Sequence, residues 1–501
     1  MLGIDNGGTV AKAGLFDVQG RELATAGRKT PMSSPAPGHT ERDAEVLWQA
    51  TAEAVREVIE RAGVAPGQIA CVATAGHGNG LYLVDGDGQP VRPGIVSTDT
   101  RAAEYVARWN AEGVAGAVRP KTMQSLWPGQ PNALLAWLQD NEPESIQRAA
   151  WALMCKDFIR AKLTGEFYLE ETDASATSLM DVGTGRYDDD LLAACGIAGL
   201  ARLLPPVRRS DATCGQVTTQ AAAQTGLRAG TPVAGGLFDA DACGLAAGIV
   251  DERQLQIIAG TWSVNQYVSR TPVVDPDVFM TSRYCVPGYY LIMEASATSA
   301  SNLEWFVNNI LGPESAALHA RGESILDVCN REVGAIDPAD SDIVFLPFLF
   351  GANASPSAKA CLLGMSSWHG RGHVLRAVYD GVVMSHRWHV ERLLRFRNKP
   401  DAIRLAGGAA RSRPWRQAFA DAFQTPVEIP AGTELGALGS AIVAGVAAGC
   451  FDDYAAAVRA MVHVVGVCNP RPEQGPVYDA KFARYQEVLN NLTPLWSTQA
   501  R

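Results

Sequence analysis

Apolar residues in this chain fall into short blocks separated by glycines and acids, with longer helical stretches between them. Leu2 to Asp5 is the first block and predicts a short strand. Asn6-Gly7-Gly8 predicts a turn, Thr9 to Phe16 a second strand, and Asp17 to Gly20 a turn into a third strand, Glu22 to Ala26. Asp43 to Ala62 carries the helical period instead. Leu47, Ala50, Ala54, Val58 and Ala62 share one face, Asp43 can cap the start, and Gly63 stands where a terminal glycine belongs. Ile69 to Ala75 reads as a buried strand, and Leu81 to Val84 as another beyond the loop Gly76-His77-Gly78-Asn79-Gly80. An amphipathic run covers Asn132 to Asn141, and Cys155-Lys156-Asp157 opens a helix ending near Gly165. Leu200 to Gly230, broken by Pro and Gly, reads as a connector.

Near mid-chain, Val233 to Phe238 is an apolar, glycine-broken approach that ends in Asp239. The small-residue run Ala242 to Ile249 then predicts a helix. Leu255 to Ile258 predicts a strand, Ala259-Gly260-Thr261 a turn and Ser263 to Val268 a returning strand, repeating the opening pattern about 250 residues later. Met293 to Phe306 reads as a cleft-edge loop leading into a helix, Ile343 to Phe350 as a buried strand, and His373 to Glu391 as a helix. Arg404 to Ala406 is a strand, Gly407-Gly408 a turn, and Pro414 to Phe423 a helix. Glu434 to Ala448 is a small-residue helix able to pack beneath that turn.

Composition narrows the class. A chain of 501 residues favours more than one domain. The net charge of −10 is spread without long like-charge blocks, and no basic stripe suggests nucleic acid as a partner. The ten cysteines occur singly, as expected of thiols in a reducing compartment. The first residues show no export signal, and the run Gly436 to Gly449 is too short to span a bilayer. A cytoplasmic address with no membrane partner is the expectation.

The candidate chemistry sits at the breaks in the pattern. Glycines at a hairpin tip allow backbone N–H groups and a threonine hydroxyl to approach a phosphate, though a plain hairpin turn also accounts for either tip alone. Two such tips, one heading each half, favour the phosphate reading. Asp239 stands where a strand gives way to a helix and reads as a general base, with Asp241 as its rival. His77 and Asn79, held between three glycines, form a candidate ligand loop. Asp99 and Arg101 can grip sugar hydroxyls or cap a helix, and Trp127 can wall a sugar site or fill the core. Gly407-Gly408 allows a flat ligand such as adenine to lie close to the backbone. His369 with His373, and His386 with His389, have spacings that suit a metal, but no H-E-x-x-H pattern accompanies them, and structural or surface histidines are expected. A G-x-G-x-x-G after the first strand and a Walker motif are both lacking, which argues against a dehydrogenase or a P-loop enzyme.

Together these segments resemble the FGGY family of carbohydrate kinases. Asp5-Asn-Gly-Gly-Thr9 resembles the family's first phosphate motif, Gly235-Gly236-Leu-Phe-Asp239 the segment with the catalytic Asp, Gly260-Thr261 the second phosphate hairpin, and Gly407-Gly408 with Ser412 and Trp415 the adenosine motif. Ala360 to Met365 and His373 to Asp380 match the C-terminal family signature. The resemblance implies an α/β fold of two ribonuclease H-like domains, of the actin, Hsp70 and sugar kinase type, around a central cleft. The implied division is 1–245, with the sugar side, and 246–501. It further implies ATP and Mg²⁺, a small sugar as substrate, and often a homodimer. Asp239 would be the base. Gly8, Thr9, Lys12, Gly260, Thr261, Gly407, Gly408 and Ser412 would bind ATP, and Asp5 would order Mg²⁺ through water. His77, Asp99, Arg101 and Trp127 would bind the sugar. One position departs from the pattern: the N-terminal signature usually carries Lys three residues before its Trp, and here that position is Leu134, before Trp137. The sugar-side loops look closest to xylulose kinases of the L-xylulose type. Glycerol, ribulose and erythritol kinases share the frame, and an ATPase of the same fold without a sugar acceptor is the remaining alternative.

Overall fold

The computed structural model describes residues 1–352 and 357–499. Its internal contacts divide the chain into two compact units. The first comprises Met1–Val250, Val268–Ile292 and Gly432–His463, and the second Asp251–Tyr267, Met293–Ala431 and Val464–Arg501.

The first unit is built on β1 (Leu2–Asn6), β2 (Val10–Phe16), β3 (Glu22–Lys29), β4 (Val72–Gly76), β5 (Thr213–Gln216), β6 (Pro232–Ala234) and β7 (Leu237–Phe238). They form one sheet in the order β5-β6-β4-β1-β2-β3, with β7 also paired to β4. Short turns make β1, β2 and β3 antiparallel neighbours. The helix Ala44–Ala62 then carries the chain across, so β4 returns parallel to β1. That helix has the predicted ends. The Asp43 carboxylate accepts from the N–H groups of Glu45 and Val46, and Gly63 closes the helix at φ 62°. Its apolar face packs on β2 and β3.

The second unit repeats this plan with β8 (Gln254–Ala259), β9 (Ser263–Ser269), β10 (Ala402–Ala406), β11 (Val427–Pro430) and β12 (Val464–Cys468). They run in the order β9-β8-β10-β11-β12. The hairpin β8–β9 corresponds to β1–β2, the parallel pair β8–β10 to β1–β4, β10–β11 to β4–β6, and the antiparallel edge β11–β12 to β6–β5. The internal echo in the sequence is thus a duplicated sheet topology.

Several elements differ from their sequence reading. Leu200 to Gly230 is not a plain connector, because it contributes β5 and the helix Thr219–Thr225. Met293 to Ser296 is the end of the strand Tyr290–Ser296 instead of a loop, and its helix is Ser301–Asn309. Only Val344–Leu346 of Ile343 to Phe350 is strand. The helix placed beneath the Gly407-Gly408 turn, Leu435–Ala447, is seated on β1 and on the helix Asp239–Ala246 of the first unit. Missing side chains make that close approach feasible. A Cβ on Gly439 would lie 2.1 Å from the Ala242 carbonyl oxygen, and one on Gly3 would lie 1.8 Å from that of Ala437. Among the described residues, no helix is long and apolar enough to cross a membrane.

Candidate active site

Strand register brings the first set of candidate residues together. On either side of β4, Asn6 of β1 and Phe238 of β7 are both opposite Gly76, and all three strands are parallel. Their carboxyl ends therefore deliver Gly7-Gly8-Thr9, His77 and Asp239 to one edge of the sheet, where ligands bind in open α/β sheets. Two glycines set the last of these. A Cβ on Gly235 would lie 2.3 Å from the Arg209 carbonyl oxygen. Gly236 has φ 87°, and a Cβ there would lie 2.1 Å from the Thr74 carbonyl oxygen. The chain shifts between β6 and β7 at these glycines, and Asp239 opens the helix Asp239–Ala246.

The two rival acids have different surroundings. Asp239 is partly accessible, whereas Asp241 is fully buried and neither of its carboxylate oxygens has a hydrogen-bond partner. Burial pushes both carboxyls well above the usual range, and for Asp239 the charges of Asp5 and Asp173 push the same way. Asp5, opposite Lys12 on the hairpin, is pushed up to about 6 by burial, with Lys12 opposing the shift. Its Oδ1 has no hydrogen-bond partner, and a Cβ on Gly436 would lie 2.3 Å from its Oδ2. Lys12 itself pairs with Glu434 at 2.7 Å.

The tip of the first hairpin is exposed at Gly8 and Thr9. Arg42 pins it by donating to the carbonyls of Gly7, at 3.3 Å, and Gly8. His77 is buried and its Nδ1 has no partner, while Nε2 lies 3.4 Å from the Tyr82 hydroxyl. Burial, and next the charge of Arg42, push its pKa down to about 3, so the ring is neutral. Trp127 is half-buried, 6.3 Å from the Phe279 ring.

Asp99 and Arg101 bond chiefly to each other and to Glu41, while Arg101 Nη1 has no hydrogen-bond partner. Arg101 donates to both Asp99 oxygens at 3.0 and 2.9 Å and to Glu41 at 2.8 Å, and its guanidinium lies 5.1 Å from the Trp137 ring centroid. Asp99 also accepts from the Thr40 N–H at 2.6 Å. Both side chains are fully buried. Their network braces residues 40 and 41, next to Arg42. Leu134 is fully buried in the hydrophobic core.

Sequence reasoning assigned no site role to the scaffold behind Asp239. Lys156, Asp157, Glu170 and Asp173 form a fully buried charge cluster, with Lys156 3.0 Å from Asp157 and 3.5 Å from each of the other two. Asp173 accepts from the Asn79 N–H at 3.4 Å, and Arg160 donates to the Gly235 carbonyl at 2.7 Å. The Thr172 hydroxyl accepts from the Phe238 N–H at 2.9 Å. The cluster thus holds the His77 loop, the glycine approach and the residue before Asp239. The local signal was the run Lys156, Asp157 and Arg160, three charged residues within five positions of a helix that also carries Phe158, Ile159 and Leu163.

The second set of candidates meets in the second unit. Gly260, Thr261, Gly408 and Ser412 all line one cavity of about 700 Å³, together with Asn330 and Tyr379. Gly407 lies at φ 84°, ψ −166°, and a Cβ there would lie 2.6 Å from the Ala259 carbonyl oxygen, so the turn rests directly on the hairpin. The Ser412 hydroxyl donates to Asn330 at 2.6 Å, and Trp415 stacks on Tyr379 at 4.2 Å. The remaining histidines are interior or surface partners: His386 and His389 are buried, and His369 pairs with Asp342 at 3.0 Å.

Comparison with known proteins agrees along nearly the whole chain. Residues 1–246 match the N-terminal domain model of the FGGY family of carbohydrate kinases, and residues 255–448 match its C-terminal domain model. An L-xylulose/3-keto-L-gulonate kinase of Escherichia coli (strain K12) is 37% identical over 490 residues, 97% of this chain and 96% of its own. A probable L-xylulose kinase of Pasteurella multocida (strain Pm70) is 37% identical over 495 residues, 98% of both chains. The crystal structure of xylulose kinase from Rhodospirillum rubrum superposes with a TM-score of 0.88 at 29% identity, covering 99% of each chain.

Proposed function

The chain belongs to the FGGY family of carbohydrate kinases and is a phosphotransferase acting on a sugar hydroxyl. We propose that it transfers the γ-phosphoryl group of ATP to a terminal hydroxyl of a ketopentose, with L-xylulose as the leading substrate. The names of the two relatives at 37% identity support that choice.

Asp239 is the proposed base. It accepts the proton of the attacking hydroxyl as oxygen bonds to the γ-phosphorus and the bridge to the β-phosphate breaks. The observation that carries this role is the register placing Asp239 beside His77 and the first hairpin tip, combined with its accessibility relative to Asp241. Its raised pKa makes it a stronger base, and general-base help contributes about 10²–10⁴-fold. Phosphoryl transfer of this kind depends mostly on positioning and charge neutralisation.

Thr9 and the backbone of Gly8, with Lys12 nearby, and Thr261 with Gly260, are proposed to hold phosphate oxygens. Gly407, Gly408 and Ser412 form the adenosine side. The residues present suit Mg²⁺ held through water. Asp5 has an unpartnered buried oxygen, yet no group of three or more candidate ligands able to hold a metal directly occurs among the described residues. When bound with ATP, the ion would neutralise charge on the transferred group. His77 offers its free Nδ1 to a sugar hydroxyl and Trp127 offers a ring face. Asp99 and Arg101 are reassigned to bracing the segment that carries Arg42. The division into domains 1–245 and 246–501, a cytoplasmic address and a homodimer belong to the same proposal.

The test is ADP release across D- and L-xylulose, 3-keto-L-gulonate, ribulose, glycerol and erythritol. The expected result is the highest kcat/KM with L-xylulose. ADP release at full rate without any sugar would favour an ATPase and overturn the kinase reading.

A further inference from the structure

Below the cavity of the second unit lies a polar cluster centred on a histidine that plays no part in the proposed reaction. His386 is fully buried on the helix Arg371–Leu393, two turns beyond Tyr379, which lines the cavity. Its Nδ1 lies 2.7 Å from Asn265 Oδ1 and 3.1 Å from Ser263 Oγ, and its Nε2 lies 2.8 Å from Ser299 Oγ. A neutral imidazole has one donor and one acceptor. Asn265 Oδ1 can only accept, so the hydrogen is assigned to Nδ1, and Nε2 accepts from the Ser299 hydroxyl. The amide orientation is consistent, because Asn265 Nδ2 donates to Ser263 Oγ at 3.1 Å. The ring edge also meets Phe419 at 5.4 Å.

None of these partners lines the cavity itself, but each lies within a few residues of one that does or on the same element. Ser263 and Asn265 follow Thr261 on β9. Ser299 precedes Ala300 and Ser301, which line the cavity, and Ser301 Oγ donates to the Thr261 carbonyl at 3.1 Å. Phe419 lies on the helix that Ser412 caps. One ring therefore ties the hairpin, the turn before Ser301–Asn309 and the adenosine-side helix to the helix carrying Tyr379. A charged imidazolium would force the Ser299 bond to reverse, and burial together with His389 pushes the pKa of His386 down to about 3, in keeping with a neutral ring.

We propose that His386 is a positioning residue for the nucleotide: through Ser263, Asn265 and Ser299 it sets the spacing between the Gly260-Thr261 tip and the Ala300-Ser301 wall. The inference rests on the reading of this cavity as the ATP site. It extends that reading to a residue that makes no contact with the ligand.

The experiment measures ADP binding by calorimetry, KM for ATP and melting temperature for Thr261→Ala, His386→Leu, His386→Asn, Ser299→Ala and the double variant Thr261→Ala/Ser299→Ala. His386→Leu is expected to weaken ADP binding about tenfold and Ser299→Ala about threefold, each about 1.4 kcal/mol or less. His386→Asn, which keeps a donor near the Nδ1 position, should recover part of the loss. The double variant should cost less than the sum of its parts, because both changes act through one tip. KM for L-xylulose should not move. If Thr261→Ala weakens ADP while folded His386→Leu and Ser299→Ala bind normally, or only melt earlier, the positioning role is overturned and the ATP site stands. If Thr261→Ala itself leaves ADP binding intact, the reading of the hairpin falls. Should His386→Leu fail to fold, Ser299→Ala, which loses a single hydroxyl, decides the question.

Discussion

The hairpins β1–β2 and β8–β9 have the same place in duplicated sheets, yet different residues stand behind their tips. Two residues before the first glycine of each tip, the first hairpin has Asp5 opposite Lys12 and the second has Ile258 opposite Val264. The first is surrounded by acids that raise one another's pKa, and behind it lies a fully buried charge cluster. The second stands on apolar strand and a network of neutral hydrogen bonds around His386. Buried like charges are costly and are retained where their protonation chemistry is used, whereas neutral networks fix geometry without that cost. On the proposed function both tips hold phosphate, and the difference favours proton transfer around the first hairpin and adenosine placement around the second.

The larger of two perturbations away from the base strikes the second hairpin. Gly407→Ala puts a side chain at a φ, ψ region that is essentially glycine-only and within 2.6 Å of the Ala259 carbonyl oxygen. A strain of about 1–3 kcal/mol is expected, felt as a rise of roughly 5- to 150-fold in KM for ATP with KM for sugar unchanged. A matching rise in KM for sugar would break the division between the hairpins.

A smaller effect is expected at the first hairpin from Asp173→Asn. Burial chiefly pushes Asp173 up to about 7, and its charge in turn raises Asp239. Removing the charge lowers the Asp239 pKa, so the acid limb of the kcat/KM profile should move to lower pH while KM for ATP stays put. Stability should respond in a definite direction. Because the folded pKa exceeds the unfolded value, ordinarily about 4, the stability Asp173 contributes is fully present below that value and is lost as pH rises through about 7. The melting temperature of Asp173→Asn relative to the parent should therefore rise between pH 5 and pH 8. A fall over that range would contradict the assignment of charge to this region.

Local signals carried much of this architecture. Glycines at Gly7-Gly8, Gly235-Gly236, Gly260 and Gly407-Gly408 mark backbone positions visible from neighbouring residues, and Asp239 stands at a strand end that its own flanks announce. The repeat of strand, tip and strand was legible for the same reason. The bracing of Asp99 and Arg101 was not legible because their partner Glu41 lies far away in sequence and gives no local sign. The destination of Leu435–Ala447 was missed similarly, since its glycine-rich face states that something packs closely but not what. His386 read as an ordinary structural histidine because its partners come from β9 and the turn at Ser299, brought together only by folding.

The most direct measurement compares single-turnover phosphoryl transfer in Asp239→Asn and Asp241→Asn, with ADP binding measured on the same samples. The account predicts that Asp239→Asn loses about 10²–10⁴-fold in rate while binding ADP normally, and that Asp241→Asn retains the greater part of its turnover. Near-normal transfer by Asp239→Asn would contradict the assignment of the base.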